Sequence, residues 1–243
     1  MKRVIFGLLL VAPLTAFAAS ESVIPLEPAN IDINDQRALQ RGAGLFVNSC
    51  MGCHSVKYMR WNRVATDIGI TEDQLREFLQ TTGDAPVDQL RIAMRAEDAE
   101  RWFGIAPPDL SLTARARGTF DVSGTDWVYN FLLSFYVDDT KTTGVNNLVF
   151  PETAMPHVLS DLQGLQRAVF EDGQFVRFEQ VREGSMDADE YRRAARDITT
   201  FMSYLAEPVQ AERRALGTMV ILLLLVFLVL AYLTKREYWK DVH

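Results

Sequence analysis

Five consecutive residues, Cys50-Met51-Gly52-Cys53-His54, constrain this chain more than any other feature, because they contain both of its cysteines and dictate what the fold must wrap around. Cys-x-x-Cys-His is the haem-attachment signature. Two thiols three positions apart on a turn can each form a thioether with a vinyl group on the same porphyrin edge. The histidine that follows is then placed to offer its imidazole to the iron. Zinc, a thioredoxin-like redox pair and a structural disulfide are the competing uses of such a pair. A structural zinc site wants a second Cys or His pair, and beyond His54 the chain has only His157 and His243. A redox pair follows a strand in a βαβ unit and does not need the histidine, whereas here a helical pattern precedes the motif.

The two ends of the chain say where such a group would work. Residues 1–18 open with Lys2 and Arg3, continue through the apolar run Val4 to Ala12 and close on Ala16-Phe17-Ala18, the pattern of a cleaved secretory leader, so the mature chain is expected to begin near Ala19. Residues 215–233, ALGTMVILLLLVFLVLAYL, carry Thr218 as the one clearly polar side chain. As a helix they span about 28 Å, the hydrocarbon thickness of a bilayer. Tyr232, Tyr238, Trp239, Lys235, Arg236 and Lys240 gather at the far end, as interfacial anchors do. The expected layout is therefore a leader over 1–18, an exported domain over 19–207, a linker over 208–214, the span over 215–233 and a cytoplasmic tail over 234–243.

A formal charge of −7, or −9 once Lys2 and Arg3 leave with the leader, disfavours nucleic acid and favours a basic soluble partner. Helical patterns are expected over 34–49, with Asn34 as cap and Leu39, Ala43, Phe46 and Val47 on one face, and over 189–206, whose stripe runs from Tyr191 to Leu205. Gly42 and Gly44 suggest that another helix approaches closely. Further helices are expected near 71–81, capped by Thr71 with Gln74 three residues on, and near 125–136, with Trp127, Phe131 and Phe135 spaced for one face. Residues 165–181 alternate around Asp172-Gly173, a hairpin with a type I′ turn.

An electron-carrying haem benefits from a sixth iron ligand. Met155, on a loop well after the motif and just before Pro156, is one candidate and His157 the other; residue chemistry alone leaves both open.

Several separated blocks together resemble the cytochrome c1 family, the haem subunit of the quinol to cytochrome c oxidoreductase, or bc1 complex. They are Cys50 to His54; Ala106-Pro107-Pro108-Asp109-Leu110-Ser111 followed by Ala114-Arg115-Ala116-Arg117; the aromatic helix through Trp127; Ala154-Met155-Pro156; and Asp197 to Pro208 leading into Arg213-Arg214 and the C-terminal span. The resemblance covers nearly the whole mature chain. It implies a mainly α fold: a cytochrome c-like haem domain with loop insertions and a small β-hairpin, plus one C-terminal transmembrane helix. It also implies one covalent haem c on Cys50 and Cys53, axial ligands His54 and Met155, Arg117 against a haem propionate, Trp127 nearby and Pro107 lining the haem face. The implied partners are cytochrome b and the Rieske iron-sulfur subunit, in a dimeric complex of the bacterial inner membrane with the haem domain in the periplasm. Electrons would pass from the iron-sulfur subunit to a c-type cytochrome. A free-standing membrane-tethered shuttle and a five-coordinate haem sensor or peroxidase are the rival readings. Both cysteines are consumed by haem, so a disulfide found in some relatives is not expected.

Overall fold

The computed structural model describes residues 24–241, so the expected leader lies outside the described residues. In chain order the elements are α1 (Gln36–Ser49), β1 (Val56–Arg60), α2 (Trp61–Ile68), α3 (Glu72–Phe78), β2 (Gln89–Leu90), α4 (Ala96–Phe103), α5 (Thr113–Ala116), α6 (Gly124–Leu133), β3 (Phe135–Val137), β4 (Val145–Asn147), α7 (Ser160–Gln163), β5 (Gly164–Glu171), β6 (Gln174–Glu183), α8 (Ala188–Ala206) and α9 (Gln210–Tyr238). The described part is helix-rich, with three separate two-stranded antiparallel pairs, β1–β2, β3–β4 and β5–β6.

The crossing of α1 and α8 organises the core. Ala38, Leu39, Gly42, Ala43, Phe46 and Val47 form the buried face of α1, and the whole stripe from Tyr191 through Ile198 and Phe201 to Leu205 is buried on α8. Phe46 meets Phe201 edge-on at 5.5 Å. A Cβ on Gly42 would stand 2.1 Å from the Asp197 carbonyl oxygen, so glycine is what lets the two backbones touch. Gly44 has open space around its Cβ position and plays no such part. Asp197 also clamps the crossing from its side chain, accepting from Arg41 Nε at 2.6 Å and Nη2 at 3.0 Å.

Helix ends differ from expectation in ways that local chemistry explains. The cap of α1 is Asp35 rather than Asn34, because the Asp35 carboxylate accepts from both Arg37 N and Ala38 N while Asn34 turns its amide onto Asp32. The capping box of Thr71 and Gln74 starts α3 as expected, but that helix stops at Phe78. The aromatic helix α6 ends at Leu133 instead of reaching residue 136, since Phe135 to Val137 pair with Val145 to Asn147. The expected hairpin forms with slightly longer arms, and Asp172 (φ 50°) and Gly173 (φ 80°) both take the left-handed backbone that a type I′ turn requires.

The apolar run lies inside α9, which contributes nothing to the core of the domain. At 29 residues and about 43 Å it is long and apolar enough to cross a membrane, and the helix continues beyond the apolar run at both ends. It begins at Gln210, within the stretch read as a linker, after a short break at Glu207-Pro208.

Candidate functional site

Helix α1 delivers the cysteine pair. Cys50 caps the helix, its N–H donating to Phe46 O at 2.8 Å, and the next turn closes on it as Cys53 N and His54 N donate to Cys50 O at 3.1 and 3.0 Å. The motif is thus one tight turn with a buried and a half-buried sulfur. Burial pushes the Cys50 thiol up to about 12, with Cys53 adding to the shift. A site that so disfavours thiolate suits a neutral thioether better than a redox couple.

The ring of His54 is fixed from below. Its Nδ1 lies 2.7 Å from Pro108 O, so Nδ1 carries the hydrogen and donates, leaving the Nε2 lone pair free. Burial lowers the His54 pKa, opposed by the Pro108 bond and by Asp109, and the neutral imidazole is what a metal needs. Pro108 is held in turn by a zipper between 109–111 and the segment after the motif: Leu110 N to Ser55 O at 2.9 Å, Lys57 N to Asp109 Oδ2 at 2.9 Å and Tyr58 N to Ser111 Oγ at 3.2 Å. Pro107, next to it, lines a cavity of about 230 Å³ together with Cys53, Met94, Ala99 and Ala106. Sequence reasoning pointed to Pro107 and missed that the carbonyl of Pro108 orients the histidine; a backbone acceptor leaves no mark on residue type.

A second cluster gathers around Arg117, the residue that ends α5. Its guanidinium carbon lies 4.4 Å from the centre of the Trp127 ring and 4.8 Å from that of Phe150. Trp127 stacks on Phe131 at 5.1 Å and meets Phe150 edge-on at 6.0 Å. Among the described residues no carboxylate pairs with Arg117. A half-buried guanidinium held by two aromatic faces, with no acid of its own, suits an incoming carboxylate. Phe150, unmarked in the sequence reading, belongs to the same loop as Met155.

Met155 is half-buried, with its N–H 3.4 Å from Thr153 Oγ1. The rival His157 is buried and lies flat on Phe135, ring centres 5.0 Å apart with 4° between planes, and its Nε2 has no hydrogen-bond partner. Burial presses its pKa down to about 4. The donors present fit a haem: paired sulfurs on one turn, a neutral imidazole with Nε2 free, a half-exposed thioether and an unpaired guanidinium.

The Cytochrome C1 family model matches residues 29–242. Over their whole lengths, the chain is 49% identical to cytochrome c1 of Allochromatium vinosum, covering 99% of that protein, and 44% identical to a Nitrosomonas europaea protein named ammonia monooxygenase gamma subunit, covering all of it. It is also similar to the mitochondrial cytochrome c1 haem protein of Saccharomyces cerevisiae, 27% identical over 86% of this chain and 68% of the yeast protein. Motif, fold and whole-length likeness converge: this chain belongs to the cytochrome c1 family, whose members are the haem electron-transfer subunits of the bc1 complex.

Proposed function

We propose that the chain holds one haem c through thioethers at Cys50 and Cys53, with His54 and Met155 as axial ligands, Arg117 on a propionate and Pro107 and Trp127 in the surround. The observation that carries this reading is the hydrogen bond from His54 Nδ1 to Pro108 O, which leaves Nε2 as the free nitrogen directly after the cysteine pair. The bound group supplies a one-electron ferric–ferrous couple. His54 keeps its neutral, oriented imidazole through Pro108, and Cys50 and Cys53, on the same turn, would hold the group by one edge. Arg117 lends positive charge held in place by Trp127 and Phe150. Met155 is preferred to His157 because the latter's ring is packed flat against Phe135. Electron transfer asks for no acid–base or nucleophilic group of this chain, which acts as an electron carrier within an enzyme, the quinol to cytochrome c oxidoreductase.

In the cell the leader over 1–18 would be removed, the domain over 19–207 would lie in the periplasm and the tail after the span would stay in the cytoplasm. Beside cytochrome b in a dimeric complex, the Rieske iron-sulfur subunit would reduce the haem, which would then reduce a c-type cytochrome. The formal charge of −7, or −9 once Lys2 and Arg3 leave with the leader, favours a basic acceptor.

Substitution of Met155 by Leu tests the site. The weak red sulfur-to-iron absorption band should vanish and the potential fall steeply, with pigment still attached to the denatured chain through Cys50 and Cys53. An unchanged spectrum would remove Met155 from the iron. Carbon monoxide binding rapidly to the reduced native protein would favour the sensor or peroxidase reading. Gentle detergent extraction tests the setting: copurification with a b-type haem protein and an iron-sulfur protein supports the complex, and isolation alone supports the tethered shuttle. The name of the Nitrosomonas relative adds a third outcome, copurification with an ammonia-oxidising enzyme.

A further inference from the structure

The loop from Leu148 to Leu159 has neither helix nor strand, yet it is firmly tied. Two buried asparagines at the end of β4 supply the bonds that regular structure would otherwise provide. Asn147, 1% exposed, accepts on its side-chain oxygen from Ser134 Oγ (2.9 Å), Val149 N (2.9 Å) and Phe150 N (3.0 Å), and donates from its amide nitrogen to Phe131 O (2.8 Å). Asn146 accepts from Glu152 N at 2.9 Å and donates to Asp138 Oδ2 at 3.1 Å. Four directions out of one side chain therefore join helix α6, the turn after it and the start of the loop.

We propose that Asn147 is a positioning residue for the sixth iron ligand and for Arg117, an inference that rests on Met155 being that ligand. By fixing Val149 and Phe150, it sets where the segment leading to Met155 departs and seats the Phe150 ring against the Arg117 guanidinium, 4.8 Å away. By holding Phe131 O, it registers that loop against the helix that carries Trp127, the other ring in contact with the same guanidinium. A thioether is a weak axial donor. A loop free to sample other conformations has its affinity reduced to the fraction of time it spends in the competent one. Asn147 removes that freedom before the ligand bond forms.

The test uses the full chain in its membrane complex. Asn147→Ser is compared with Asn130→Ser. Asn130 is also buried, at 3% exposure, and also triply bonded, to Glu27 N, Glu27 O and Asp126 O, but it braces the N-terminal segment instead. Both variants should unfold at lower temperature. Only Asn147→Ser should lose half or more of the sulfur-to-iron band while still folded, take up carbon monoxide when reduced and show a lowered potential. A wild-type band and indifference to carbon monoxide in Asn147→Ser would overturn the inference. Met155→Leu in parallel separates the two ideas, since a band that survives it sinks the ligand assignment itself. If Asn147→Ser does not accumulate, Asn147→Asp, which keeps the acceptor oxygen and loses the bond to Phe131 O, should lose the band on heating well before it unfolds. A band that persists up to unfolding would count against the proposal equally.

Discussion

Histidine offers two ring nitrogens, and which one is free is settled by whatever binds the other. In this chain the neighbour is a backbone carbonyl, Pro108 O, whose position depends on Asp109 and Ser111 reaching back to the amides of Lys57 and Tyr58. The same economy applies to Arg117, whose charge is held by aromatic faces instead of a carboxylate. That arrangement has a measurable consequence once haem is bound. If Arg117 lies against a haem propionate as proposed, its cation disfavours the ferric state, so Arg117→Gln should lower the reduction potential, by on the order of 1 kcal/mol of preference between the two states. Arg117→Lys, which keeps the charge but loses the planar stack and the bidentate fork, should fall between. Equilibrium redox titration reads both, and a potential unmoved by Arg117→Gln would return this residue to the ordinary surface.

The crossing of α1 and α8 is the element-scale counterpart, because it carries the cysteine motif to its place. Gly42→Ala would drive a methyl group into the Asp197 carbonyl, a backbone atom that cannot swing aside. Alanine's better helix propensity, worth about 1 kcal/mol, does not offset overpacking against backbone. A net loss of at least about 1 kcal/mol is expected, seen as a fall in Tm of at least roughly 2–4 °C; an unchanged or raised Tm would show that the helices do not meet as closely as this. The crossing was legible from residue types, as were the capping box of α3 and the Asp172-Gly173 turn, because glycine, cap and turn signals are local and periodic. Less of the site was legible. The short elements β1, β2, α4, α5, β3, β4 and α7 have too few residues for a period to show. Asn147, Phe150 and Pro108 act through hydrogen bonds and ring faces contributed by segments distant in sequence. The end of α6 was missed for the same reason: its aromatic spacing continues to Phe135, but pairing with Asn147 across the β3–β4 ladder outweighs helix propensity there.

For the whole molecule, the decisive joint is the one between the haem-binding domain and α9, since the anchor itself packs on nothing in the domain. The break at Glu207-Pro208 would be a free hinge if the chain there were unpaired. It is not: the buried Glu207 carboxylate accepts from Arg213 Nε and, at 3.1 Å, from Arg213 Nη2, and Arg115 Nη1 of α5 lies 3.9 Å away. One carboxylate thus ties the first turn of the anchor to the short helix that ends in Arg117. Arg213 first, then Arg115, hold the Glu207 pKa below its usual value. A carboxylate whose folded pKa is depressed stabilises the joint above its unfolded pKa, ordinarily near 4.5, and the contribution disappears as pH falls through the folded value. Limited digestion of the membrane-bound protein with an acid-active protease should therefore find the 207–210 joint protected at pH 6 and increasingly cut as pH falls below the ordinary carboxylate range. Glu207→Gln, which keeps the shape and loses the charge, should be cut readily at pH 6 already and show little further dependence on pH. If wild type and variant gave the same digestion profile, the ion pair would not be what sets the angle at which the domain stands on the membrane, and Pro208 with the packing of α5 on α8 would have to hold it alone.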